Sequence, residues 1–115
     1  MSDPAIDQVT FDELTATTGT EFAMELVDTF LEEAPTMLNE LQSALMAGDA
    51  DIFRRAAHSL KSNCNTFGAL VLGTEARRLE LGGLASATTE GAVPLAALNT
   101  EYVRVAAALA VLRHA

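Results

Sequence analysis

Residues 53–68, with the sequence FRRAAHSLKSNCNTFG, place the strongest restriction on how this chain folds. Wound at about 3.6 residues per turn, the segment separates its apolar and polar residues onto opposite sides of a helix. The apolar side comprises Phe53, Ala56, Leu60, Cys64 and Phe67, and the polar side comprises Arg54, His58, Lys61, Ser62 and Asn65. Because the apolar side must be buried against other elements, the segment predicts one helix of a bundle, with one histidine facing solvent.

Apolar residues recur at helical spacing along most of the remaining chain, and no interval combines strand-like alternation with turn signals. The spacing predicts a short helix at about residues 10–16, then four long helices: one before Gly48, two at about 50–66 and 70–84, and one opening at Pro94. Arg77, Arg78 and Glu80 are expected on the outward side of the 70–84 helix. Short connections between the long helices imply an all-α, antiparallel up-and-down four-helix bundle, with the short N-terminal helix across one end.

Capping and helix-breaking residues set the expected boundaries. Thr10 with Glu13 has the spacing of a capping box, and Pro35 predicts a kink or break near residues 33–36. Gly48 suits a helix end, and Asp49 suits the cap of the next helix. Residues 86–91 are expected to form a polar loop.

Length and composition limit the class of protein. A chain of 115 residues suits a single domain, spanning residues 1–115 with a loose lead-in at residues 1–9. Cys64 is the single cysteine, which excludes an internal disulfide, and its position predicts a buried small hydrophobe.

A net charge of −9 argues against binding to nucleic acid and to anionic membrane surfaces. No apolar run approaches the roughly 20 residues of a membrane span, so we expect a cytoplasmic protein.

The polar side of the 50–66 helix has the features of a phosphoryl-accepting site. Three cations, Arg54, Arg55 and Lys61, accompany His58 on this helix, with no carboxylate expected beside the ring. A neutral imidazole is a nucleophile, and cations would both favour the neutral ring and attract a dianionic group. Ser62, one turn beyond His58, is small enough to leave the ring accessible. The alternative is a solvated histidine without a chemical role.

Several segments together resemble the signature of the histidine-containing phosphotransfer (HPt) domain family. These are AHSLKS at 57–62, FGA at 67–69, LE at 79–80, and the Gly48-Asp49 pair that precedes them. The resemblance implies that His58 is the phosphoacceptor and that Lys61 stabilises the phosphoryl group, with Gly68 at the turn. Ser62 occupies a small-residue position that is commonly glycine in the family. Arg54, Arg55 and Asn65 are expected to support the site.

The resemblance implies a carrier that takes a phosphoryl group from a receiver-domain aspartate and passes it to another. The expected partners are receiver domains of a hybrid histidine kinase and of a response regulator, with magnesium bound by the receiver and no cofactor bound by this chain. We expect a monomer that docks through apolar residues near His58, with Met24, Leu31 and Met37 as candidates. No glycine-rich phosphate loop is present, so no ATP binding or kinase activity is expected.

Two alternatives to the carrier remain open. One is an HPt-like adaptor that binds a receiver without accepting phosphate. The other is an enzyme, such as a histidine kinase fragment or a phosphatase that acts on receivers.

Overall fold

The computed structural model describes residues 4–90 and 93–113, all of whose regular structure is helical. Its helices are α1 (Gln8–Thr18), α2 (Thr20–Ala47), α3 (Ala50–Phe67), α4 (Leu70–Glu90) and α5 (Val93–Arg113). Helices α2 to α5 form an antiparallel bundle. α1 packs against α2 and α3 at the end of the bundle where α2 begins and α3 ends. The predicted fold, a four-helix bundle with an extra N-terminal helix, is confirmed.

The core is built from aliphatic residues around a few aromatic rings. Phe30 of α2 contacts Phe67 of α3 at a ring-centroid distance of 5.3 Å and Tyr102 of α5 at 6.1 Å. Cys64 is fully buried in the same core, and burial raises the pKa of its thiol to about 12. The thiol is therefore a neutral packing group, as its place on the apolar side of the helix predicts.

Helix α2 continues through Pro35, so of the kink or break predicted near residues 33–36 the break is wrong. Proline removes one backbone donor and crowds the preceding turn. The flanking residues Phe30, Ala34 and Leu38 are nevertheless all buried in the core. Their packing on both sides of the proline holds the helix in one piece, since tertiary burial contributes most of the stability of a helix in a protein.

The N-terminal segment is more ordered than a loose lead-in up to residue 9. Ile6 is buried, and Asp7 caps α1 by accepting hydrogen bonds from the Thr10 backbone N–H at 3.1 Å and from Thr10 Oγ1 at 2.6 Å. Thr10 therefore lies inside the helix, and the capping box predicted from Thr10 and Glu13 is wrong. Residues 1–3 of the predicted lead-in lie outside the described residues.

The predicted polar loop after α4 is largely helical. Helical structure extends to Glu90, and the interruption lies earlier, at Gly83, where φ is 70° and ψ is −174°. Ala87 is buried on the bundle, which favours continuation of the helix beyond the glycine. Gly91, the last residue of the predicted loop, lies outside the described residues.

Helix α5 is long and apolar enough to cross a membrane by length and composition. Residues Leu95–Arg113 form a stretch of 19 residues with a mean hydropathy of 1.4, which corrects the expectation that no segment has these properties. Core helices of soluble proteins share such a composition. Leu98, Val105 and Leu109 of α5 are fully buried against the rest of the bundle.

Gly68, directly after α3, forms a backbone hydrogen bond with the residue that precedes α1. It adopts a left-handed conformation with φ of 79°, and its carbonyl accepts a hydrogen bond from the Asp7 backbone N–H at 2.7 Å. A Cβ at this position would lie 2.8 Å from both the Asp7 carbonyl oxygen and Thr10 Cβ. Glycine is required here for two reasons, its backbone conformation and the close approach of the N-terminal segment.

Replacing Gly68 by alanine should destabilise the fold more than the same change at Gly48. Both glycines are left-handed, but a Cβ at Gly48 would meet nothing within 4 Å. Gly48→Ala should cost about 1 kcal/mol from its backbone conformation alone. Gly68→Ala should cost about 1–3 kcal/mol more, because the added methyl group displaces Asp7 and Thr10. Urea unfolding of the two variants measures the difference, and equal losses would contradict this explanation.

Candidate functional site

The face around His58 depends on close packing between α3 and α4. Gly73 of α4 lies against α3, where an added Cβ would be 3.1 Å from Asn65 Oδ1 and 3.3 Å from Cys64 Cβ. A side chain at this position would have to displace the neighbouring atoms of α3 by a few tenths of an ångström. Two turns further along α4, the same close packing brings Glu80 to the polar side of α3.

His58 lies near the middle of α3 with 57% of its side chain exposed. Its Nδ1 atom is 2.6 Å from Glu80 Oε2. The other oxygen of the same carboxylate, Oε1, accepts a hydrogen bond from Lys61 Nζ at 2.6 Å. Glu80 and Lys61 are more enclosed, with 15% and 23% of their side chains exposed. One half-buried carboxylate therefore holds both the histidine and the lysine.

Glu80 is ionised at neutral pH. The pKa of its carboxyl is lowered, mainly by the hydrogen bond from Lys61 and further by the contact with His58, while burial acts in the opposite direction. An ionised carboxylate can only accept hydrogen bonds, so Nδ1 of His58 must carry the proton. In the neutral ring this leaves the lone pair on Nε2, the nitrogen that does not contact Glu80.

The charge around His58 is more balanced than the sequence suggests. Periodicity places Glu80 on the outward side of its helix and predicts no carboxylate near the ring, and both expectations are wrong. Arg54 and Arg55 share a single carboxylate, because Asp51 accepts a hydrogen bond from the first at 3.1 Å and from the second at 3.2 Å, so their positive charge is only partly offset. The cations expected to surround the ring are thus paired with carboxylates.

The other predicted site residues lie at increasing distance from the ring. Ser62 is exposed one turn beyond His58 on the same face, where its small side chain leaves the ring accessible. Asn65 is about two turns from His58, beside Gly73. Gly68, about 15 Å along the helix from His58, has the structural role at the α1 contact described above. Lys61 is the predicted residue that shares a direct partner with His58.

The motif around His58 includes Glu80, but the sequence does not reveal that this carboxylate contacts the ring. His58 and Glu80 are 22 positions apart, and their meeting depends on how α3 and α4 are aligned. In the described parts of the chain, no group of three or more histidine, cysteine, aspartate or glutamate side chains is placed to hold a metal ion.

The structure combines a helical bundle with a half-exposed histidine whose Nδ1 contacts a carboxylate, an arrangement that leaves one ring nitrogen open to solvent. Comparison with known families identifies the class of protein: the Hpt domain model matches residues 25–114. The chain therefore belongs to the Hpt domain family, whose function is histidine phosphotransfer in phosphorelays.

A solved structure agrees with the family assignment. The chain is similar to the crystal structure of histidine-containing phosphotransfer protein B (HptB) from Pseudomonas aeruginosa PAO1, with a TM-score of 0.88 and 26% sequence identity. The similarity covers 98% of this chain and 97% of that one. No curated protein sequence matches this chain significantly. The family predicted from the motif around His58 is confirmed.

Replacing Glu80 by glutamine should lower stability at neutral pH but not in acid. Because folding lowers the pKa of Glu80 below its ordinary value of 4.5, its stabilising effect is fully present above that pH and is lost as the pH falls through the folded-state pKa. Glu80→Gln should cost about 1 kcal/mol at neutral pH, and the gap from the wild type should close in acid. Urea unfolding as a function of pH measures the gap.

The matched control is Glu25→Gln, which neutralises an exposed carboxylate of α2. It should change the free energy of unfolding little at any pH. A gap between the wild type and Glu80→Gln that stays constant from neutral to acid pH would contradict a stabilising, ionised Glu80.

Proposed function

We propose that this protein carries a phosphoryl group on Nε2 of His58 between the aspartates of two receiver domains. The donor would be the receiver domain of a hybrid histidine kinase, and the acceptor would be the receiver domain of a response regulator. The observation that supports this most strongly is the contact between Glu80 and Nδ1, because it makes Nε2 the nucleophilic nitrogen of an exposed ring. Membership of the Hpt family supports the same function.

The transfer is a displacement at phosphorus. The Nε2 lone pair attacks the phosphorus of the donor's aspartyl phosphate, a P–N bond forms, and the P–O bond to aspartate breaks with release of the carboxylate. The ring gains positive charge, which Glu80 stabilises through the proton that remains on Nδ1. The second receiver's aspartate then attacks the phosphorus, the P–N bond breaks, and neutral His58 is restored.

Lys61 is proposed to stabilise the phosphoryl group. Its ammonium group is held by Glu80 one turn from His58, which restricts its position before the partner arrives. Proximity of a fixed cation helps because phosphoryl transfer relies mainly on positioning and charge stabilisation. Magnesium is proposed to be supplied by the receiver, so this chain acts as a carrier without a cofactor of its own.

The alternative is an adaptor that binds a receiver domain without accepting phosphate. Such a protein has no need of an accessible ring nitrogen. The half exposure of His58 and the bridging of His58 and Lys61 by one carboxylate favour the carrier.

Incubation with a phosphorylated receiver should label this protein, and His58→Gln should abolish the label. The modification should be acid-labile and base-stable, as expected of a phosphoramidate bond. His114→Gln, which removes the other histidine of the chain, is the control and should be labelled like the wild type. A label that persists in His58→Gln would refute the proposed acceptor, and receiver binding without any label would favour the adaptor.

A further inference from the structure

A groove between α2 and α3 opens beside the reactive histidine. Its volume is about 450 Å³, and it is lined by Glu32, Glu33, Thr36, Met37 and Glu40 of α2 and by Arg55, Ala56 and Ser59 of α3. Arg55 and Ser59 lie within one turn of His58 on the same helix. The groove and the ring therefore form a continuous surface.

A receiver that docks with its interface centred on His58 covers this groove. A stable protein interface buries about 800 Å² on each partner, which corresponds to a disc of about 16 Å radius. Centred on His58, such a disc includes the α3 wall of the groove and the facing turns of α2. The groove is thus part of the docking surface if the partner delivers its aspartyl phosphate to Nε2.

The groove carries an excess of negative charge. Glu32, Glu33 and Glu40 are exposed along its α2 wall. The opposite wall supplies one cation, Arg55, which shares Asp51 with Arg54, so three carboxylates of the groove face a single arginine. Met37 is half-buried between the carboxylates and offers an apolar contact.

We propose that this acidic groove selects the receiver partner. The preferred receiver presents lysine or arginine side chains toward Glu32, Glu33 and Glu40 and an apolar side chain toward Met37, next to its phosphorylated aspartate. The protein carries a net charge of −9, so an acidic receiver surface is repelled at long range, whereas a basic one is steered to the groove. A second copy of this chain is a poor occupant, because two acidic grooves would face each other.

This inference rests on the proposed function and specifies its partner. The test compares a groove variant, Glu32→Gln/Glu33→Gln/Glu40→Gln, with a control variant, Asp12→Asn/Glu13→Gln/Glu21→Gln. The control residues are exposed carboxylates on α1 and at the start of α2, and both variants remove the same charge. Initial rates of transfer are measured from a panel of phosphorylated receivers of the source organism, at low and high salt.

The groove variant should lose about 10-fold or more in kcat/KM at low salt with the receivers that react fastest with the wild type. It should also lose most of the salt dependence of the rate, because exposed charges are screened at high ionic strength. The control variant should keep both the rate and its salt dependence to within a few-fold. Charge reversal by Glu33→Lys/Glu40→Lys should shift the preference toward receivers with acidic docking faces.

Equal rates and equal salt dependence in the groove and control variants would overturn the inference. Phosphoramidate, a small phosphodonor that needs no docking surface, should label His58 equally in the wild type and both variants. This arm verifies that the chemistry at the ring is intact in each variant. Failure of receivers to label wild-type His58 would instead refute the proposed function, so the two failures are distinguishable.

Discussion

The bridge formed by Glu80 between His58 and Lys61 is the interaction on which the site depends. One carboxylate of α4 fixes the tautomer of the ring and the position of the lysine on α3. Because both contacts cross from one helix to another, the orientation of the His58 ring, and so the direction of Nε2, depends on the packing of two helices. The close approach at Gly73 connects the fold of the bundle to its chemistry.

The placement of the site on a bundle separates two tasks. The buried side of α3, with Phe53, Leu60 and Cys64 in the core, holds the helix rigid. The opposite side presents the exposed ring of His58, the nucleophile of the proposed function. Phosphoryl transfer in such a protein needs little machinery of its own, since positioning and charge stabilisation can be shared with the receiver.

The sequence predicts features that depend on local spacing and misses those that depend on contacts between helices. The amphipathic pattern of α3 is sufficient to place His58 and Lys61 on one exposed face and Cys64 in the core. The periodicity of α4 predicts the wrong surroundings for Glu80, because the residues that its side chain contacts depend on how α3 and α4 align. At Pro35 the local rule allows a break of the helix, but buried neighbours on both sides maintain it. Ala87 similarly extends ordered structure beyond the predicted limit of its helix.

The central claim is that Glu80 holds the proton of neutral His58 on Nδ1 and leaves Nε2 as the nucleophile. Nitrogen-15 NMR of the labelled histidine ring, at a pH where the ring is neutral, reports directly which nitrogen is protonated. We expect the signal of a protonated Nδ1 and an unprotonated Nε2 in the wild type, and a mixture of both tautomers in Glu80→Gln. A wild-type ring protonated mainly on Nε2 would contradict the account.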